Sequence, residues 1–261
     1  MAVDVRLQSA IPPRSPSGEA GGCWSAFNLE QNSPVEHRFE SAQGRDREAA
    51  PITFQLCGTD QRERMAVEGY ISAQFQQVYG ARLRHFMPWL LSYGKGQKMH
   101  GVLGLRRAST APLFLEHYLN DPVETVLTKK AGVPVGRGDI AEIGNLVATA
   151  RGGSRLLFLM LAELFAAADL TWAIFTATPE VQHLLQKLTD NQLVLCRADG
   201  ARLGDELADW GSYYNTSPAV VAINVRAERQ RLLTRPLIRE LMAVCRPQAT
   251  VLAQKFLEAG K

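Results

Sequence analysis

The segment Thr149-Ala150-Arg151-Gly152-Gly153-Ser154 follows an apolar stretch ending near Ala148 and precedes the periodic apolar residues Leu156, Phe158, Leu159, Leu161 and Leu164. A strand, a glycine turn and a helix in that order present unpaired backbone N–H groups and the positive end of a helix dipole. That geometry suits phosphate or pyrophosphate, with Arg151 or Arg155 adding a charge-assisted contact. Such turns also use glycine for backbone freedom alone. Just before the turn lies Ala141-Glu142-Ile143-Gly144-Asn145-Leu146-Val147-Ala148. Strand alternation puts Glu142 and Gly144 on one face and Ile143 and Asn145 on the other, unless a bulge intervenes. A carboxylate in an apolar strand is costly to bury, so Glu142 needs either an arginine partner or a chemical task. Downstream, Trp210-Gly211-Ser212-Tyr213-Tyr214 could line a ligand cleft, stack on an acyl chain, give a phenolic proton to a leaving thiolate, or simply pack an edge.

Other chemistries lack their residues. No G-x-x-x-x-G-K-[ST] occurs, no G-x-G-x-x-G follows a strand, and G-x-S-x-G is absent, which removes the P-loop, dinucleotide and nucleophile-elbow readings. The four cysteines, Cys23, Cys57, Cys196 and Cys245, are far apart, with no histidine at metal-ligand spacing, so neither a metal site nor a disulfide framework is expected. Histidines 85, 100, 117 and 183 are scattered and read as structural. Lys plus Arg (29) against Asp plus Glu (26) leaves a formal +3, too slight to indicate nucleic acid. Residues 1–10 show no signal-peptide core, and the longest apolar run, 156–168, is interrupted by Glu163 and is too short to span a bilayer. A cytoplasmic protein is expected.

These residues need elements to position them. With 261 residues and 46% hydrophobic composition, the chain has enough apolar material for a sizeable core. Residues 1–50, with Pro12-Pro13, Gly21-Gly22 and few periodic apolar residues, read as a mostly disordered extension. Within it, Trp24 and Phe27 are the aromatics that could dock. Residues 60–79 predict a helix whose apolar face is Met65, Val67, Tyr70, Ile71, Phe75 and Val78. Strands are expected over 99–108, 142–148, 171–178, 192–197 and 219–225. A short helix is expected from Pro112 and a turn or new helix at Asp121-Pro122. A longer helix capped by Ser154 runs to about 168, and another starts at Pro179. This is the order of an α/β domain, 51–225, with at least one crossover unit. The tail, 226–261, reads as a basic amphipathic helix with an apolar face of Leu232, Leu233, Leu237, Ile238, Leu241, Met242 and Val244. Such a tail packs on the domain, or meets an anionic membrane or an acidic partner such as a carrier protein.

The segments 112–119 (PLFLEHYL), 142–148 (EIGNLVA) and 210–214 (WGSYY), in this order, resemble the thermostable hemolysin family of bacterial proteins, over about residues 52–225. That family looks like a divergent branch of the GNAT acyltransferases, similar to acyl-homoserine-lactone synthases. The resemblance implies a GNAT-like central mixed β-sheet flanked by helices, with strands that splay to admit a pantetheine arm. The donor's phosphates would lie on the turn formed here by Arg151, Gly152, Gly153, Ser154 and Arg155. The turn departs from the superfamily pattern Q/R-x-x-G-x-G/A at Thr149 and Ser154. The implied activity is acyl transfer from acyl-coenzyme A or acyl-phosphopantetheine on a carrier protein to the amine of a small molecule such as an amino acid, with no tightly bound cofactor. Glu142 would orient or deprotonate the amine, and Tyr213 or Tyr214 would protonate the thiolate. The backbone N–H groups near Leu146 and Val147 would receive the thioester oxygen, while Asn145, Arg137 and Trp210 would form the acceptor site. A non-catalytic acyl or carrier-protein binding module and a membrane-active cytolysin are the alternatives.

Overall fold

The computed structural model describes residues 2–4, 52–96, 98–149 and 153–258. Its elements are β1 (Ala2–Asp4), β2 (Ile52–Cys57), α1 (Arg64–Tyr79), β3 (Trp89–Lys95), β4 (Lys98–Arg107), α2 (Val123–Ala131), β5 (Ile140–Ala148), α3 (Gly153–Ala167), β6 (Trp172–Ala177), α4 (Pro179–Gln186), β7 (Gln192–Arg197), β8 (Ala219–Asn224), α5 (Val225–Leu233) and α6 (Pro236–Glu258). Short 3-10 helices cover Phe114–Tyr118, Gly200–Trp210 and Tyr213–Thr216. The main sheet runs β2-β3-β4-β5-β6-β8-β7, antiparallel except for the parallel β5–β6 pair, and β1 joins it parallel to β5. The fold is therefore α/β with a central mixed sheet flanked by helices, and α3 is the crossover between its parallel strands.

One face of the sheet packs under α3, α5 and α6 through Ile143, Leu146, Leu157, Phe165, Phe175 and Met242. The other face carries α1 and the 3-10 segments around Ile71, Phe75, Leu115, Val147, Ile174 and Tyr213. All nine residues of β5 are buried, as expected for a strand with helices on both faces.

Several expectations are corrected. The first long helix begins at Arg64, and its inward face is Arg64, Val67, Ile71, Phe75 and Tyr79. Met65 instead is 81% exposed, while Arg64 is buried because its guanidinium donates to the carbonyls of Met87 and Pro88 and pairs with Glu68. β2 and β3 were not anticipated, since Ile52–Cys57 has exposed residues at its start and Trp89–Lys95 lacks clear alternation. The tail forms two helices, and the inward face of α6 is Ile238, Met242, Cys245, Ala249, Leu252, Ala253 and Phe256. Leu237, Leu241 and Val244 point outward. The reading of 1–50 lies outside the described residues, Trp24 and Phe27 included, apart from Ala2–Asp4, which form a strand.

The basic tail is held by buried acid. Glu163 of α3, 2% exposed, accepts from Arg229 of α5 at 3.0 and 3.1 Å and from Arg246 of α6 at 3.0 Å. Arg231 pairs with Glu228 and Asp190, Arg226 pairs with Asp169, and Lys255 donates to the Leu56 carbonyl. Arg229, Arg231 and Lys255 are thus tied into the fold, whereas the Arg226 pair lies at the surface and Arg235 and Arg239 stay exposed. No helix among the described residues is long and apolar enough to cross a membrane.

Candidate active site

The site is built where β5 changes partners. Its parallel pairing with β6 runs from Ile140↔Trp172 to Ile143↔Phe175 and stops there. On the β4 side the register slips between Gly104↔Gly144 and Val102↔Val147, so that Asn145 and Leu146 together oppose Leu103. This bulge puts Asn145 at φ 49°, a left-handed conformation that Asn tolerates better than most residues. Asn145 thereby turns to the α1 face, the face of Glu142 and Gly144, contrary to simple alternation. Its Oδ1 accepts the backbone N–H of Met87 at 2.9 Å. Met87 in turn presses on Gly144, where an added Cβ would lie 2.5 Å from its methyl carbon, so a side chain there would have to push the Met87 thioether aside.

Past Ile143 the β5 edge released by β6 is taken by β1, with Ala2↔Leu146, Val3↔Val147 and Asp4↔Ala148. Leu146 and Val147 lie on this edge, which pairs with an extended partner in parallel register. The strand then leads to Thr149, whose N–H donates to the His100 carbonyl at 2.9 Å and whose hydroxyl meets that of Tyr70 at 2.8 Å. Arg151 and Gly152 lie outside the described residues. Gly153 and Ser154 are buried in the first turn of α3, which starts two residues earlier than a Ser154 cap implies. Gly153 is required by the Tyr93 hydroxyl, 2.0 Å from where a Cβ would sit. Arg155 is partly exposed, but its Nε is buried without a hydrogen-bond partner.

Two clefts flank the parting strands. On the α3 face, one of about 530 Å3, open solvent included, is walled by Phe158 and Ala162 of α3, Phe175 of β6, Leu185, Ile223 and Leu232, with Arg155 and Glu228 at its borders. Phe175, the last β6 residue still paired with β5, is one of its walls. On the α1 face, a cleft of about 520 Å3 lies over the bulge, with Asn145 and Met87 at its floor, Phe86, Phe114 and Trp210 on its walls, and charges from Arg84, Arg106, Glu206 and Asp209.

Glu142 is 3% exposed, and its two oxygens accept the N–H groups of Phe114 at 2.8 Å and Leu115 at 3.0 Å. Burial raises its carboxyl above the ordinary range, opposed by the Phe114 N–H. Geometrically it pins the start of Phe114–Tyr118, the segment carrying one cleft wall, and does not reach into the cleft as a free base. Arg137 is likewise committed: Nε donates to the Ala108 carbonyl at 2.8 Å, Nη1 to Glu116 at 2.7 Å and Glu124 at 2.8 Å, and Nη2 to Glu116 at 2.8 Å. This clamp ties the segment before β5 to the 3-10 helix and α2, away from the cleft residues, which removes Arg137 as an acceptor ligand.

The two tyrosines have different fates. Tyr213 is fully buried among Phe75, Tyr79 and Trp210, with its hydroxyl donating to the Thr176 carbonyl at 3.4 Å, so it cannot meet a leaving group. Tyr214 is half-buried and stacks edge-on to Trp210, and its hydroxyl hydrogen-bonds that of Tyr118. Burial pushes both phenols of the Tyr118–Tyr214 pair up, so both stay protonated at neutral pH. Residues that local sequence patterns did not single out are Arg106, Asp209, Met87, Tyr70 and Tyr118. Of these only Arg106, an arginine inside an apolar strand, carried a local signal.

The bulged strand β5, the parallel β5–β6 pair and the helix α3 between them define an α/β fold. The family model described as Thermostable hemolysin matches residues 57–229, and the chain belongs to that family. No curated protein matches it. Similar solved structures include FeeM, an N-acyl amino acid synthase from uncultured soil microbes (14% identity, 70% of this chain and 96% of that one, TM-score 0.49). The AHL synthase LasI is 11% identical over 69% of this chain and 93% of its own, with TM-score 0.49. The CoA-dependent acyl-homoserine lactone synthase MesI is 13% identical over 75% and 95%, with TM-score 0.43.

Two predictions follow from the carboxylates. Glu142→Gln keeps one acceptor and leaves one buried N–H unpaired, so it is expected to cost about 1–3 kcal/mol. This would be read as a lower denaturant midpoint without any ligand present. Glu116, held by Arg137 and by the N–H groups of Leu113 and Val123, has its carboxyl lowered to about 2. A depressed carboxyl adds stability that is present above the ordinary glutamate range and lost as pH falls through that range toward about 2. Glu116→Gln should be less stable than the parent at neutral pH and converge with it under strong acid, as denaturant titrations across pH would show.

Proposed function

We propose that the protein is an acyltransferase that moves an acyl group from a pantetheine thioester to the amine of a small molecule such as an amino acid. The observation that carries this reading is the parting of β5 from β6 after Ile143 and Phe175, between an apolar cleft on one face and a polar-rimmed cleft on the other. An amide-bearing arm such as pantetheine can pair with the β5 edge at 146–148 as a strand does. The acyl chain then enters the apolar cleft beside Phe175, and the amine approaches from the cleft over Asn145. Thr149–Arg155 follows this edge and would take the donor's phosphates. The Thr149 hydroxyl is already engaged with Tyr70, so the loop's contribution to coenzyme A binding rests on the later residues, and a carrier-protein donor suits the site as well.

In this scheme the amine nitrogen attacks the thioester carbon, and the oxyanion is met by backbone N–H groups of Leu146 and Val147. The C–S bond breaks as the C–N bond forms. The nitrogen gives up its proton to water in the open cleft, and the departing thiolate takes one back from water; Tyr214, whose phenol burial pushes up and so makes a weaker acid, is not called on to supply it. Glu142 contributes by holding the Phe114 wall and is a positioning residue.

A second reading, contact with an anionic membrane surface, is favoured by one feature: Leu237, Leu241, Val244 and Val251 form an exposed stripe along α6 beside exposed Arg235 and Arg239.

Acyl-coenzyme A thioesters and acyl carrier protein of increasing chain length should raise the melting temperature progressively, since a ligand at 100 times its Kd adds about 2.7 kcal/mol. A flat response to both donors, with vesicle lysis by the protein alone, would replace acyl transfer with the membrane reading. Because Ala2–Asp4 hold the same edge, a chain lacking residues 1–4 should bind the donor several-fold more tightly, as isothermal titration would show.

A further inference from the structure

The cleft on the α1 face carries more information than a generic amine site needs. Its walls are aromatic and aliphatic: Phe114 and Trp210 stand 5.9 Å apart with rings tilted by 49°, and Leu83, Phe86 and Met87 continue the apolar surface. Its charges are of both signs. Asp209 and Glu206 come from the 3-10 segment Gly200–Trp210, and Arg84 and Arg106 from the segment before β3 and from β4.

The two arginines are not equivalent. Arg84 is 70% exposed along its side chain and already pairs with Asp209 at 2.9 Å. Arg106 is half-buried, and the hydrogen bond it makes is from Nη1 to a neutral acceptor, the Pro112 carbonyl, at 3.0 Å. Among the described residues, none forms an ion pair with Arg106. Its cross-strand neighbour is Glu142, whose oxygens are both occupied by backbone N–H groups. A guanidinium with free donors, at the edge of an apolar cleft, is a site for a planar anion that can accept two parallel hydrogen bonds. An acceptor with an amine to be acylated, an apolar body and a carboxylate is an α-amino acid.

We infer that this cleft binds a zwitterionic α-amino acid with an aliphatic or aromatic side chain, and that Arg106 is the specificity-determining residue that receives its carboxylate. The side chain packs on Phe86, Phe114 and Trp210, and the ammonium faces the wall of Glu206 and Asp209 before it loses its proton. The inference deepens the acyl-transfer reading and rests on it for the fate of the amine, but not for binding.

The test pairs each amino acid with its decarboxylated amine and its methyl ester: phenylalanine with phenethylamine, leucine with isopentylamine. Binding is measured by saturation-transfer NMR without donor, and turnover by thiol release from an acyl thioester. The parent protein should bind and use the amino acids about 10- to 100-fold better than the amines or esters, the range of a charge-assisted pair. Arg106→Gln should erase that preference by raising KM for the amino acid while leaving KM for the donor unchanged. Arg106→Lys, which keeps the charge and loses the fork, should recover only part of it. Circular dichroism and a melting temperature confirm that each variant is folded. Amines and amino acids used equally well by the parent, or a preference that survives in folded Arg106→Gln, would overturn the assignment and leave acyl transfer standing. Amino-acid binding that depends on Arg106 but gives no thiol release from any donor would uphold the assignment and overturn acyl transfer.

Discussion

A strand paired on both sides has no backbone groups left for a ligand, and the interior of a mixed sheet is the least promising place to hold one. In this protein β5 escapes that constraint through the bulge at Asn145. The extra residue increases local twist, carries the strand away from β6 after Ile143, and frees the edge at Leu146–Ala148. It also rotates Asn145 onto the α1 face, where its side chain captures the Met87 N–H and so fixes the floor of the acceptor cleft. The face presented by Asn145, and with it the tie to the Met87 backbone, follows from that one inserted residue.

Much of this order was legible from local patterns. The span Gln192–Arg197 is as expected, and the strands around β4, β5, β6 and β8 and the helices α3 and α4 fall within a few residues of their expected bounds. They were legible because their apolar residues are uninterrupted or their caps are chemically explicit, as with Thr178 before Pro179. β2 and β3 were not, because as the strands at one end of the sheet they take their burial from α6 and from each other, a non-local cause. The bulge could be named only as a condition on alternation, since nothing in Gly144-Asn145 specifies which strand will slip. The aromatic word at 210–214 did not distinguish Trp210, which lines the α1-face cleft, from Tyr213, which is fully buried, or from Tyr214, which is half-buried.

The buried carboxylates show why an acid in an apolar context does not by itself identify a catalyst. Glu142, Glu163 and Glu228 are all almost completely buried, and each joins elements distant in sequence. Glu142 receives two N–H groups from the 3-10 helix, Glu163 two arginines from the tail, and Glu228 the chain at Asp190-Asn191 together with Arg231. Desolvating such a group is repaid only if every oxygen is satisfied, and here the satisfying partners are what assemble the fold. The same accounting ties Arg137 into the fold, whereas Arg106 forms no ion pair among the described residues.

The two faces of the sheet are chemically unlike, and the reaction class depends on that difference. An acyl chain requires a wall without polar groups, which α3, β6 and α5 provide through Phe158, Phe175 and Leu232. A charged acceptor requires polar groups that water can still reach, which the α1 face provides with an open cleft and mixed charge. If both substrates entered from one face, the acceptor's charges would border the acyl chain and the desolvation cost of each would fall on the other. Under the proposed reading, a donor that took the place of β1 on the β5 edge would resolve this conflict, with the thioester carbon in the plane of the strands, the donor on one side and the nitrogen on the other. The backbone N–H groups of β5 would then meet the developing charge without an ionised side chain near the apolar cleft.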